Sequence, residues 1–394
     1  MSDPLKVIWL TSDYPWAENP ILGVFHGTSA RAVVRQGVGV TVVSPTPFAP
    51  WPLPLLRDRW RRYARAPRHA VDAGVQVLRP RYPGIPGEPD WAHTDRLIAG
   101  AAGRTRGQGW ADARLIHGHY AAPIGIAAGH LSRRTGLPYV VTLHGDDVTS
   151  WPDEHPRKMA AYRDALGGAA RVIAVSRALA ADANRIAGVD PIVIPIGIEL
   201  DRFSEPHDRS AARAALGVAD DELLMLMVAY LDQRKRVREL VDAIHGLGLP
   251  FRAIFVGTGP ETGYRAQPGQ VDYLGPRSNA DVPHLLAAAD ITVLPSDREG
   301  LPTALVEAGA AGVPIIASRA GGTPELLADD RGVLLDEVSP ASIADALRSF
   351  AANRAAAAER AARLRAHVRA EYDVNGSARR LARLYADVLG EPTE

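Results

Sequence analysis

Asp290-Ile291-Thr292-Val293-Leu294-Pro295-Ser296 is a short apolar run closed by Pro and Ser, and a second, longer apolar segment follows it after one loop. A run of this kind suits a strand buried on both faces of a parallel sheet. Pro302 suits the first position of the helix that follows, because its fixed φ is helical and its missing N–H would have had no partner there. The loop at Gly300 is therefore a helix entrance, where free backbone N–H groups and a partial positive charge favour a phosphate. Glu299 precedes that entrance and Glu307 lies more than a turn inside the helix. With Ala304, Leu305, Ala308, Gly309 and Ala311 around it, Glu307 needs a partner or a cleft. Two carboxylates beside an anion site suit vicinal hydroxyls, each oxygen accepting hydrogen bonds from a diol.

A chain of 394 residues exceeds one ordinary core, and two domains are expected. Lys plus Arg and Asp plus Glu both total 45, which gives no global charge to recruit nucleic acid. The absence of cysteine excludes disulfides, thiolate catalysis and cysteine metal sites. Val7 to Leu10 is too short for a signal peptide, and no apolar run approaches a bilayer span. A cytoplasmic protein is expected.

Lys6 to Leu10 reads as a strand, the loop Ser12 to Gly27 leads into a helix ending near Gln36, and Val40 to Ser44 reads as the next strand. This βαβ opening suggests a Rossmann-like domain, but its first turn lacks G-x-G-x-x-G, which argues against a dehydrogenase. Further strands are expected at Val75–Arg79, Tyr139–Leu143, Arg171–Ser176, Leu223–Ala229 and Arg252–Val256. A helix is expected from Trp91 to Arg106. The tail from Asp373 to Leu389 reads as an amphipathic helix with Leu381, Leu384, Tyr385 and Val388 on one face.

Residues 51–68 join an apolar start to Arg57, Arg59, Arg61, Arg62, Arg65 and Arg68, against Asp58 alone. Two readings stand: a peripheral contact with an anionic membrane, through Trp51, Leu53, Leu55, Trp60 and the arginines, or a solvated face. His117 and His119, two apart at a strand end, have the look of metal ligands, but no third ligand of suitable spacing lies nearby. Asp146-Asp147 is not an Asp-x-Asp pair, so no metal is expected. The glycines of Gly257-Thr258-Gly259 permit close backbone approach to a nucleotide, or form a plain turn.

The pattern E-G-x-P-x-x-x-x-E at 299–307, continued by Ala308-Gly309-Ala310-Ala311-Gly312-Val313-Pro314 and by Gly321-Gly322-Thr323-Pro324-Glu325, resembles the family 4 retaining glycosyltransferases of the GT-B fold. The resemblance covers nearly the whole chain. It implies an α/β protein of two facing Rossmann-like domains: an acceptor domain at 1–198, a nucleotide-sugar domain at 199–372, and a C-terminal helix at 373–394 packing back on the first. It implies transfer of a hexosyl group from a nucleotide-diphosphate sugar to a hydroxyl, without a metal or a cofactor. A UDP-sugar is favoured over a GDP-sugar, and the acceptor would be a saccharide, a lipid-linked saccharide or a small polyol or aminocyclitol.

By the same resemblance, His119, Lys235 and Glu299 are the catalytic residues. Gly23, His144, Gly257, Leu274, Glu299, Gly300, Leu301 and Glu307 serve the donor, Lys235 and Gly23 on its diphosphate, Glu307 on ribose. His119 faces the acceptor; the Asp146-Asp147 pair, read from its own residues and not from the resemblance, would bind acceptor hydroxyls or amines. One departure stands out: Tyr230 occupies a position where the family usually has Arg, and Arg234 or Arg236 would have to replace it. A non-catalytic nucleotide-sugar sensor or scaffold, or an epimerase or phosphorylase on the same fold, is the alternative.

Overall fold

The computed structural model describes residues 5–48, 51–52, 58–84, 94–204, 207–267 and 269–391. The chain divides into two compact units, Met1–Gly197 with Val374–Glu394, and Ile198–Asp373. Each is an α/β domain around a parallel sheet.

In the first domain the strands are β1 (Lys6–Leu10), β2 (Gly39–Val43), β3 (Thr46–Phe48), β4 (His69–Asp72), β5 (Val75–Leu78), β6 (Arg81–Pro83), β7 (Leu115–His119), β8 (Tyr139–Leu143), β9 (Arg171–Ala174) and β10 (Ile192–Val193). Eight of them form one sheet in the order β10-β9-β8-β7-β1-β2-β5-β4; β4 is antiparallel to β5 and the other pairs are parallel. β3 and β6 make a separate parallel pair. Strands such as β7 and β8 are buried along their whole length, as their near-continuous apolar sequence requires.

The second domain holds β11 (Leu223–Val228), β12 (Phe251–Val256), β13 (Val271–Gly275), β14 (Ile291–Leu294), β15 (Ile315–Ser318) and β16 (Val333–Leu335), all parallel, in the order β13-β12-β11-β14-β15-β16. In both sheets the strand order reverses at the first strand of the domain: β1 lies between β2 and β7, and β11 between β12 and β14. Loops leaving the carboxyl ends at such a reversal diverge and open a crevice, which is where ligands sit in open α/β sheets.

The tail helix, Val374–Leu389, belongs to the first domain. Val374, Ala378, Leu381, Leu384 and Tyr385 join the core formed by Trp9, Val33, Val40 and Leu115, and Val388 packs against it half-buried. The apolar face expected from the sequence is the face that is buried. Ser377 Oγ anchors the helix by donating to the Pro195 carbonyl at 2.8 Å. The second domain begins and ends side by side, with the Ile198 N–H donating to the Tyr372 carbonyl at 2.8 Å.

Two local expectations are corrected. Pro302 is not the first helical residue but the N-cap, at φ −74° and ψ 96°, and the helix runs Thr303–Ala311. Its carbonyl already accepts the Leu305 N–H at 2.9 Å, which is the cap's role. Within 51–68, a helix covers Asp58–Arg65, and Trp60 is buried beside Pro47, Gly84 and Tyr63 instead of facing outward. Its indole closes the base of the β3–β6 ribbon. Trp51 is 80% exposed, and Arg61, Arg62, Arg65 and Arg68 are on the surface. Leu53, Leu55 and Arg57 lie outside the described residues, as does the side chain of Arg59.

Candidate active site

In the first domain, β1, β7 and β8 and the helix Val24–Arg35 bring four imidazoles together. His117 and His119 stack at 4.1 Å between ring centroids, and His119 stacks on His144 at 5.4 Å. His119 Nδ1 and His144 Nε2 are 3.2 Å apart and share a hydrogen bond. His26 closes the group, its ring centroid 4.7 Å from that of His119. The sequence reading gave His26 no role, since nothing in its own neighbourhood marks it. A small cavity of about 30 Å³ adjoins these rings, room for ordered water.

Hydrogen bonding separates the four. His117 has both ring nitrogens engaged, Nδ1 with the Tyr385 hydroxyl at 2.6 Å and Nε2 with Thr142 Oγ1 at 2.7 Å, and the same hydroxyl accepts the Trp9 indole N–H at 3.1 Å. It is a structural strut between β7, β8 and the tail helix. His26 donates its Nδ1–H to the Asp13 carbonyl at 2.8 Å, because a carbonyl can only accept, and its Nε2 is then a lone pair. That Nε2, His119 Nε2 and His144 Nδ1 are buried without a protein partner. Burial holds all four rings neutral, pushing His26 and His117 down to about 3 and His119 and His144 well below the usual histidine range. Neutral imidazoles with unused nitrogens are suited to accept from or donate to a substrate hydroxyl.

His26, His119 and His144 each offer a ring nitrogen within 4.8 Å of the others, and among the described residues they are the group able to hold a metal ion. Of the two histidines that have the look of ligands in the sequence, His119 belongs to this group and His117 does not; His26 and His144 arrive through space.

Asp147 corrects an expectation. Its carboxylate does not face an acceptor; it turns inward, 3% exposed, and accepts the N–H groups of Ala121 (2.7 Å), Gly145 (2.8 Å) and His144 (3.0 Å). It ties the loop after β7 to the loop after β8 and so fixes the backbone of His144. Asp146 is exposed. Gly23, at φ +62°, caps the Val24–Arg35 helix, and a Cβ there would lie 2.5 Å from the Asp13 carbonyl oxygen. Only glycine lets the two ends of the loop between β1 and this helix meet so closely.

In the second domain the loop after β11 forms a turn, Gln233–Lys235, capped by Asp232, whose carboxylate accepts the Arg234 N–H at 3.1 Å. Lys235 Nζ reaches Glu299 Oε1 at 2.5 Å in the loop after β14. The two cations that would stand in for the missing arginine are both engaged by carboxylates: Arg234 with Asp232 at 2.7 Å, Arg236 with Asp297 at 2.7 Å and Glu239 at 2.6 Å. Tyr230 is 57% exposed. Glu307 is paired with Arg202 at 3.3 Å, and burial raises its carboxyl while Arg202 opposes the rise. Arg202, at the entry to this domain, is a partner that sequence reasoning missed.

Gly300 and Leu301 are buried between Glu299 and the helix. Gly321, at φ +49°, is pressed on them: a Cβ would lie 1.9 Å from the Glu299 carbonyl oxygen, and the Gly322 N–H donates to the Gly300 carbonyl at 2.8 Å. Gly257 serves a close approach, but to protein: a Cβ would meet the Ala229 carbonyl oxygen at 1.8 Å. Leu274 is the residue skipped where the β12–β13 register shifts from Phe255–Tyr273 to Val256–Gly275. A skipped residue leaves its backbone groups out of the ladder and open to a ligand.

Residues 27–202 match the model of glycosyltransferase family 4, and residues 208–370 match that of the glycosyl transferases group 1. A Bacillus subtilis (strain 168) protein named for teichuronic acid biosynthesis, the glycosyltransferase TuaC, is 35% identical across 98% of this chain and 99% of its own. The sucrose-phosphate synthase of Thermosynechococcus elongatus superposes with a TM-score of 0.80 at 20% identity, over 98% of this chain and 99% of its own. Anabaena HepE in complex with UDP and glucose superposes at 0.74 with 21% identity, over 97% and 100%. At such identities the two structures speak to the fold.

Proposed function

The chain belongs to the family 4 glycosyltransferases, and from that membership we propose that it moves a hexosyl group, with retention at the anomeric carbon, from a nucleotide-diphosphate sugar to a hydroxyl of a saccharide acceptor. A UDP-sugar is the donor favoured, in line with the ligands of HepE.

The observation that carries the reading is the convergence of Lys235, Glu299 and the Gly300–Leu301 helix entrance within one domain, at the reversal of its strand order. An ammonium and helix-terminal N–H groups stabilise charge on a departing diphosphate, and holding both substrates in attack geometry supplies much of the remaining rate. Glu299 binds the donor sugar and Glu307 the ribose; the neutral His119 and His144 hold hydroxyls of acceptor and donor. No protein nucleophile is needed. The reaction is metal-independent in this reading, with Lys235 and the helix-entrance N–H groups supplying the positive charge at the diphosphate.

TuaC is named for teichuronic acid biosynthesis, and in this chain the exposed Trp51 and the arginines of 61–68 would let an acceptor be reached at an anionic membrane surface. No helix among the described residues is long and apolar enough to cross a membrane, so such a contact would be peripheral. Replacing Arg59, Arg61 and Arg62 by Ser should abolish co-sedimentation with anionic liposomes; unchanged binding would remove the membrane from this reading.

The donor assignment is tested by thermal shifts of wild type and Glu307→Ala with UDP, GDP and ADP. A ligand at about a hundred times its Kd stabilises by roughly 2.7 kcal/mol. One nucleotide should raise the wild-type midpoint, with the gain lost in the variant. A well-folded sample that responds to none of the three would overturn the assignment.

A further inference from the structure

A pocket of about 530 Å³ in the first domain is lined by Arg68, His69, Arg79, Arg81, Arg104 and Gln108, beside Pro80 and Thr105. Four guanidinium groups border it, and none of its described lining residues is a carboxylate. Proteins seldom gather so many cations without acids between them, because like charges repel and an unpaired buried charge is expensive.

Arg79 is the deepest of the four, 1% exposed. Its guanidinium donates to the Pro15 carbonyl at 2.7 Å and more weakly to the carbonyls of Tyr14 and Pro67, and it lies over the Trp16 ring at 5.4 Å. Its Nε is buried with no partner. Burial, with Arg81 as a neighbouring cation, lowers it to about 10. Arg81 donates to the carbonyls of Tyr63, Ala64 and Ala66, which closes the end of the Asp58–Arg65 helix, and its own carbonyl accepts from Arg104 at 3.1 Å. Carbonyl oxygens position these arginines, and among the described residues no carboxylate pairs with them. Arg68 and Arg104 stand exposed at the rim.

We infer that this pocket is a binding site for a phosphoryl group carried by a larger ligand. Guanidinium forks match the oxygens of a phosphate in paired, charge-assisted hydrogen bonds, and a dianion relieves the repulsion among four cations better than a carboxylate does. The volume exceeds a bare phosphate and falls in the range of small-molecule sites, so room remains for the group that bears it. The carrier is either a lipid headgroup or a soluble phosphate ester. The site lies within the first domain, and none of its lining residues is one assigned to the donor diphosphate, so binding and not turnover tests it.

Wild type and the Arg68→Gln/Arg104→Gln double variant would be titrated with inorganic phosphate by calorimetry at constant ionic strength. Both replaced side chains are exposed, so the variant should fold, as circular dichroism can verify. Wild type should show a saturable phosphate site that weakens at least about tenfold in the variant. Equal affinity in the two proteins, or no saturable binding in wild type, would overturn the site. Vesicles of phosphatidylcholine with and without phosphatidic acid then identify the carrier. Pelleting that needs phosphatidic acid and is reversed by free phosphate supports a headgroup; phosphate binding without pelleting supports a soluble ester. Pelleting that the double variant retains in full would rule the pocket out as the headgroup site.

Discussion

Lys235 and Glu299, from the loops after β11 and β14, form an ion pair of 2.5 Å with both side chains largely buried, 16% and 10% exposed. The cation proposed to neutralise a diphosphate is thus already committed to the carboxylate proposed to hold the sugar. A ligand that carries both groups engages the two residues together, and one that carries only the diphosphate must compete with Glu299 for the ammonium. Glu299→Gln should therefore tighten UDP about fivefold, the worth of a pair near 1 kcal/mol, while turnover of the sugar nucleotide falls. Calorimetry with UDP decides it: weaker binding in Glu299→Gln would mean that the pair is not in competition with diphosphate.

Lys235→Ala should lower kcat by about 10²–10³, as removal of one transition-state donor does elsewhere, and should also lower the thermal midpoint, because it leaves the largely buried Glu299 without its cation. A loss confined to KM would show that Lys235 binds the ground state and the transition state equally.

Asp147→Ala should act on stability. Three buried N–H groups lose their acceptor, each unsatisfied group costing about 1–3 kcal/mol, so the urea midpoint should fall clearly. An unchanged midpoint with weakened acceptor binding would return Asp147 to the substrate.

Asp290 is 7% exposed and gathers Arg209 (2.8 Å), Arg213 (3.1 Å), Arg354 and the Leu224 N–H (2.9 Å). Arg213 is itself buried, and removing its carboxylate strands it. Asp290→Ala should cost about 3–5 kcal/mol in denaturant unfolding. A loss below ~1 kcal/mol would show that the carbonyls around Arg213 suffice without the carboxylate.

The buried histidines make a prediction for acid. His117 is pushed down to about 3 in the folded chain, against roughly 6.5 when unfolded. Between those values the unfolded state binds a proton that the folded state does not. The stability that His117 contributes is complete above the unfolded value and is lost as pH falls towards the folded one, by up to about 1.4 kcal/mol per pH unit. The buried carboxyls of Asp13, Asp147 and Glu307 are raised and pull the other way, but they are common to wild type and a His117→Gln variant. Unfolding free energies measured from pH 7 to 5 should fall less steeply in the variant. Parallel curves would show that His117 is protonated in the native state as readily as in the unfolded one.

What the sequence by itself determined is whatever depends on neighbours along the chain. Apolar runs placed the strands, spacing of three and four placed the tail helix and its buried face, and Gly, Pro and Glu at 299–307 marked a helix entrance beside carboxylates. The same local logic anticipated that Glu307 needs a partner. It could not name Arg202, which lies 105 positions away. Nor could it add His26 to His119 and His144, or see that His117 is held by Tyr385 and that Asp147 faces inward, because each depends on which strands the sheet sets side by side. The glycines divide in the same way. Their positions are plain in the sequence, but that Gly257 and Gly321 yield to the carbonyls of Ala229 and Glu299 follows only from how loops pack at the carboxyl end of a sheet. Backbone preference is local and is written residue by residue; convergence of side chains is set by strand order, and only the folded chain decides it.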